Sequence, residues 1–155
     1  MTETSDAPAI PPGAFRIDRE GLWRHEGHEV THPGVLRNLY ANLRVDPDGH
    51  FLQVGPARVP VSVEEAPFVV TRLGPDADGL LRVHLTDGTD ESVAPESVWI
   101  GARETPYCRV KAGRFIARLS VSAWLQLANF VQEEPGSGRM TLVIGPRRMP
   151  LDRRP

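Results

Sequence analysis

The chain has a single cysteine, Cys108, and a single lysine, Lys111, among 155 residues. One thiol cannot close an intramolecular disulfide, so a disulfide-stapled secreted scaffold is excluded and a reducing, cytoplasmic setting is expected. Aromatic residues make up only 6% of the chain, which leaves few of the stacking platforms used to bind single-stranded nucleic acid. No apolar run approaches the roughly 18 residues of a membrane-spanning helix. The N-terminus lacks the basic stretch followed by an apolar one that marks a secretory signal. The glycines never form G-x-x-x-x-G-K-[ST] or G-x-G-x-x-G, so neither a phosphate loop nor a dinucleotide fingerprint is present. With one lysine against 17 arginines, basic usage reads as the codon bias of a GC-rich genome.

What is there suits a globular protein of one compact domain or two small ones: 40% hydrophobic and 25% charged residues. Its 14 glycines and 15 prolines call for many turns and short elements. The net charge of −2 is unevenly spread, with 3 basic and 9 acidic residues over 61–106 and 9 basic and 3 acidic over 107–155. Opposite blocks in a small chain read first as charges that face each other or are diluted over the surface.

The most informative pattern is internal. Val54-Gly55-Pro56-Ala57-Arg58-Val59-Pro60-Val61 and Ile144-Gly145-Pro146-Arg147-Arg148-Met149-Pro150-Leu151 share one plan, with the Gly-Pro pairs 90 residues apart. Earlier segments match in the same order. Phe15–Ile17 and Leu22–Arg24 flank a turn at Asp18–Gly21, and Cys108–Val110 and Phe115–Ala117 flank Lys111–Gly113. A helix follows each hairpin. The first runs from His32 to Leu43 on Val35, Leu36, Leu39, Tyr40 and Leu43, with Thr31 as N-cap and Pro33 in its first turn. The second runs from a cap at Ser120 or Ser122 to about Glu134, with Val121, Trp124, Leu125, Ala128 and Val131 inward. Strands then lead to the Gly-Pro segments, where Gly and Pro shape a strand exit and the next Pro leaves an edge unpaired.

The expected fold is therefore α+β, with two related β-β-α-β-β units, 15–61 and 107–151, flanking a central antiparallel meander over 62–106. Residues 1–14 and 152–155 read as tails. In the meander, Phe68–Leu73 and Leu80–Thr86 are strands, and Asp87-Gly88 signals a hairpin.

Chemistry-bearing motifs are few. His28-Glu29-Val30-Thr31-His32 is a literal H-E-x-x-H, which serves zinc peptidases by placing both imidazoles one turn apart on a helix. Here Val30 and Thr31 are β-branched and Pro33 biases His32 away from helical angles, so the motif should end where the helix starts. A metal-dependent hydrolase using the His25–His32 cluster is the alternative functional reading. Cys108 with His84 could suggest a thiol nucleophile, but a cysteine in a strand is more often a small buried hydrophobe. Arg139, Arg147, Arg148, Arg153 and Arg154 form a basic C-terminal end, yet the acidity of the whole chain and its few aromatics speak against nucleic acid. Trp23, Trp99 and Trp124 read as core residues. Glu64 and Glu65, adjacent in a strand, would face opposite ways.

The elements Ile17-Asp18-Arg19-Glu20-Gly21-Leu22-Trp23, Glu64-Glu65-Ala66-Pro67-Phe68, Thr86–Val93 and Val110–Val131 resemble the bacterial domain of unknown function 1285 family. The resemblance spans Phe15–Leu151, with the Glu64–Phe68 element its most specific part. It implies a fold built from repeated motifs and a role in ligand response or signal transduction. The chain departs from that family at Gly55-Pro56-Ala57-Arg58, where an acid is replaced by a base, and in its His-rich segment.

The reading is thus a non-enzymatic cytoplasmic module that binds a small ligand or a protein partner, with no cofactor and no membrane, and with a homodimer left open. Its candidate surface residues are Arg58, Glu65, Asp87, Arg118 and Arg147, each polar and beside a repeated or family-like element. Each suits a solvated or ion-paired surface residue better than a site residue.

Overall fold

In the computed structural model, which describes residues 14–154, the first hairpin is organised by one buried carboxylate. Asp18 follows strand β1 (Phe15–Ile17) and precedes β2 (Trp23–His25). Its Oδ1 accepts from the backbone N–H of Glu20 and of Leu22, each at 3.0 Å, and its Oδ2 accepts from Arg24 Nε at 3.0 Å. Buried polar groups persist when so satisfied. A short β3 (His28–Glu29) pairs back onto β2.

Helix α1 (Pro33–Asn42) starts one residue later than expected. Its cap is His32, not Thr31: the imidazole Nδ1 accepts from the N–H of Gly34 at 3.0 Å and of Val35 at 3.3 Å. Pro33 occupies the first turn, where its missing donor costs nothing. Three strands follow, β4 (Leu43–Asp46), β5 (Gly49–Val54) and β6 (Ala57–Val63). With the earlier ones they form a six-stranded sheet ordered β3-β2-β1-β6-β5-β4. The β1–β6 contact is parallel, so the segment from β2 through α1 to β5 serves as its crossover. Trp23 is fully buried and meets Phe15 and Tyr40 edge-on, at centroid distances of 6.3 and 5.7 Å.

The chain divides into two compact units between Pro67 and Phe68. The second opens with β7 (Phe68–Pro75), β8 (Leu81–Leu85) and β9 (Asp90–Val93), an antiparallel meander. Then come β10 (Trp99–Ile100) and the hairpin β11 (Pro106–Val110) and β12 (Phe115–Leu119). Helix α2 (Val121–Ala128) is capped by Ser120, whose Oγ accepts from Ala123 N. β13 (Val131–Glu133), β14 (Met140–Ile144) and β15 (Arg147–Pro150) make a three-stranded sheet. Finally β16 (Asp152–Arg153) joins β10 in parallel, completing a seven-stranded sheet ordered β16-β10-β11-β12-β7-β8-β9.

The fold is α+β with two main helices. Hairpin, helix and a three-strand run occur in that order in both units, with a strand straight after each helix that the sequence reading lacked. The Gly-Pro segments are hairpin turns, not strand exits. Gly55 and Gly145 hold φ of 57° and 56° as the first of two loop residues, the position that a type II′ turn reserves for glycine. Pro150 lies in the edge strand β15. Pro60 does not mark an edge, because β6 continues into the β1 ladder from Val61 onward.

Three further expectations are corrected. Residues 152 and 153 are strand, not tail, held by the ladder to Trp99 and Ile100. Helix α2 stops at Ala128, because Val131–Glu133 pair with Met140–Leu142 instead. Its inward face is Ala123 and Leu127, both fully buried, while Val121 and Leu125 remain 73% and 63% exposed. The tail read over 1–14 lies outside the described residues except for Ala14. Trp99 and Trp124 are half-buried, unlike Trp23.

Candidate oxyanion-binding groove

Strict alternation on β8 sends Leu81, Val83 and Leu85 into the core and leaves Arg82 and His84 on the other face. A register shift between Val70 and Arg72 on β7 inserts Thr71 as an extra residue. Bulges of this kind re-aim the side chains that follow. Beyond it, Arg72 stands opposite His84 and Gly74 opposite Arg82. On the other side of β8, Asp90 stands opposite His84 and Ser92 opposite Arg82. One face thus carries two rows: Arg72, His84 and Asp90, then Gly74, Arg82 and Ser92.

Gly74 has open space where a side chain would stand, so its row is hollow. Gln126 of α2 closes one side. Its Oε1 accepts from Leu73 N at 2.7 Å, taking up the ladder donor left where β12 ends at Leu119. The result is a groove of about 260 Å³ lined by Arg72, Leu73, Gly74, Arg82, His84, Asp90 and Gln126.

Its electrostatics are lopsided. Asp90 is hydrogen-bonded to His84 Nδ1, and that bond, aided by the charges of Arg82 and Arg72, holds its carboxyl below the usual range. Asp76, bonded to the Ser92 hydroxyl and to Ala77 N–H, is likewise lowered and lies 3.7 Å from Arg82 Nη1. Both acids are therefore occupied. The Arg72 side chain makes no hydrogen bond or ion pair with any described residue. Arg72, Arg82 and the Gln126 amide nitrogen are donors around one hollow, suited to an anion's oxygens.

The five residues chosen from the sequence do not line this groove. Arg58 lies 2.7 Å from Asp46 Oδ2 and covers the Phe51 ring at 3.7 Å. Glu65 lies 3.4 Å from Arg19 Nε. Asp87 closes the β8–β9 turn, accepting from Lys111 Nζ at 2.6 Å and from Thr89. Arg118 donates to the Leu119 carbonyl at 3.4 Å. Arg147 pairs with Glu96, its stem packed where a Cβ on Gly79 would clash. The groove residues were signalled only by the polar positions of the β8 alternation; Arg72 depends on a bulge that no local pattern marks.

The His-rich segment is not helical. His28 pairs across the hairpin with His25, whose ring packs on Phe15 at 4.9 Å, and His32 is committed to capping. No group of three or more His, Cys, Asp or Glu able to hold a metal occurs among the described residues. Cys108 is buried in β11, and burial pushes its thiol up to about 12. Of the basic end, Arg153 pairs with Glu104, Arg154 lies over Trp99 at 5.0 Å and Arg148 reaches Gln132 at 3.5 Å. No helix is long and apolar enough to cross a membrane among the described residues.

No protein-family model matches the chain, and no curated protein matches it. Solved structures do. A DUF1285 family protein from Silicibacter pomeroyi DSS-3 superposes with a TM-score of 0.73 at 22% identity, over 96% of this chain and 89% of that one. The fold is shared. A DUF1285 family protein from Shewanella baltica OS155 matches with a TM-score of 0.65 at 20% identity, over 76% of this chain and 91% of that one. These are proteins of the same family that the Ile17–Trp23 and Glu64–Phe68 elements resemble.

Proposed function

We propose that the protein is a non-enzymatic binding module for a small ligand bearing a phosphate or carboxylate group, held in the Arg72–Arg82–His84 groove. The observation that carries this reading is the Arg72 side chain, without a hydrogen-bond or ion-pair partner among the described residues, beside a hollow row, with Asp90 bonded to His84 and Asp76 to Ser92. A guanidinium recognises such groups by two parallel hydrogen bonds. The antiparallel meander gives the donors a rigid base, which limits the entropy lost on binding. A cytoplasmic regulatory role, in which ligand occupancy is read by a partner, fits the same features and the single buried cysteine.

The experiment is a titration with inorganic phosphate, followed by amide and arginine side-chain chemical shifts. Saturable shifts at Arg72–Gly74, Arg82–His84 and Gln126 are expected. Arg72→Ala should remove most of them. Shifts of equal size in Arg72→Ala, or none at all, would refute the reading.

A further inference from the structure

A second cleft lies where the chain leaves the three-stranded sheet through β15 and enters the seven-stranded one through β16. It measures about 390 Å³ and is lined by 137–140 and 150–153, within the roughly 300–1,000 Å³ of small-molecule sites. Two observations give it chemistry. Its apolar surface comes from Met140, Pro150 and Leu151, the last 5% exposed. Its rim carries a cation and an anion, Arg139 and Asp152, and neither side chain makes a hydrogen bond or ion pair with any described residue. The other charged rim residue, Arg153, is occupied by Glu104.

The frame is fixed. Leu151 N donates to the Met140 carbonyl at 2.9 Å, and Glu134 N to the Arg139 carbonyl at 2.8 Å. The Ser137 hydroxyl accepts from Arg139 N at 3.2 Å. Arg139 and Asp152 therefore stand on backbone that is tied on both sides of the opening.

We propose that this cleft binds a free α-amino acid with an aliphatic side chain. The carboxylate meets Arg139, the ammonium meets Asp152, and the side chain covers Met140, Pro150 and Leu151. A simple anion would satisfy the guanidinium but would be repelled by Asp152, and a simple amine the reverse. Only a zwitterion answers both charges, and the apolar floor selects an aliphatic one. Pairing both ligand charges also avoids leaving a desolvated group unmatched. This site is separate from the groove above and does not rest on it.

The test uses the full chain and L-leucine, by calorimetry and amide shifts, beside 4-methylpentanoate, which lacks the ammonium, and isopentylamine, which lacks the carboxylate. Leucine should bind saturably and move amides within 137–140 and 150–153. Each truncated analogue should bind about tenfold more weakly or worse, as expected for losing a charge-assisted hydrogen bond. Arg139→Ala and Asp152→Asn should each cause a similar loss, and Arg72→Ala none. Both cleft side chains are exposed and without a partner among the described residues, so the variants should melt like the parent chain. The proposal is overturned if leucine moves no amide up to about 10 mM, if either analogue binds as well as leucine, or if Arg72→Ala abolishes the effect.

Discussion

Gln126 Oε1 accepts a hydrogen bond from the backbone N–H of Leu73 at 2.7 Å, across 53 residues of sequence. The contact ties α2 to β7 at the point where β12 no longer supplies an acceptor. It also fixes one wall of the groove.

Replacing that acceptor should therefore have two separable consequences. Gln126→Ala leaves the Leu73 donor unsatisfied in a part-buried position, a loss of about 1–3 kcal/mol in chemical denaturation. Gln126→Glu keeps an acceptor but adds a negative charge to the groove. It should retain most of the stability and still weaken phosphate binding. Equal loss of stability in both variants would show that the side chain acts by packing alone.

Helix α2 offers a test of its phase. Leu127 is fully buried and Leu125 is 63% exposed. Leu127→Ala should destabilise by about 2–5 kcal/mol, and Leu125→Ala by no more than about 0.5 kcal/mol. The reverse order would restore the phase read from the sequence.

That phase shows where sequence reasoning succeeds and fails. In β8 the alternation of Leu81, Val83 and Leu85 with Arg82 and His84 leaves one face to bury, so strand and orientation are both legible. In Val121–Ala128 only Ser122 and Gln126 are polar, so almost any face could turn inward and tertiary contact decides. The hairpins at Asp18–Gly21 and Asp87-Gly88 are written in turn chemistry, and the H-E-x-x-H segment is recognisably non-helical from Pro33. The groove was not legible. It needs a bulge at Thr71, a cross-strand register and a side chain from α2, all of them long-range. The five chosen surface residues carry the charge that the sequence advertises, yet that charge is used locally, as the Arg58–Asp46 and Asp87–Lys111 pairs show.

Cys108 should be inert in the folded chain. Its thiol is buried, and burial together with the nearby Glu91 carboxylate raises it to about 12, so almost no thiolate exists at neutral pH. Iodoacetamide labelling at pH 8 should be slow in buffer and fast in denaturant. Rapid labelling of the native protein would contradict the packing of β11.

Acid should unfold the second unit partly through Asp87. Its carboxyl loses solvation on burial, which pushes the pKa up. The Lys111 ammonium, the Thr89 hydroxyl and the Thr89 amide more than offset that, so the net shift is downward. A carboxyl whose pKa is lower in the folded chain binds protons more readily when unfolded. Its contribution is therefore fully present above the unfolded pKa of about 3.9 and is lost as pH falls through the folded value. Asp76 and Asp90 are lowered too, so they add to the same slope. Asp87→Asn should lower the melting temperature at pH 7 but flatten its fall below about pH 4. Melting curves collected from pH 7 to pH 2.5 measure this directly, and a variant whose curve stays parallel to the parent's would remove Asp87 from the acid transition.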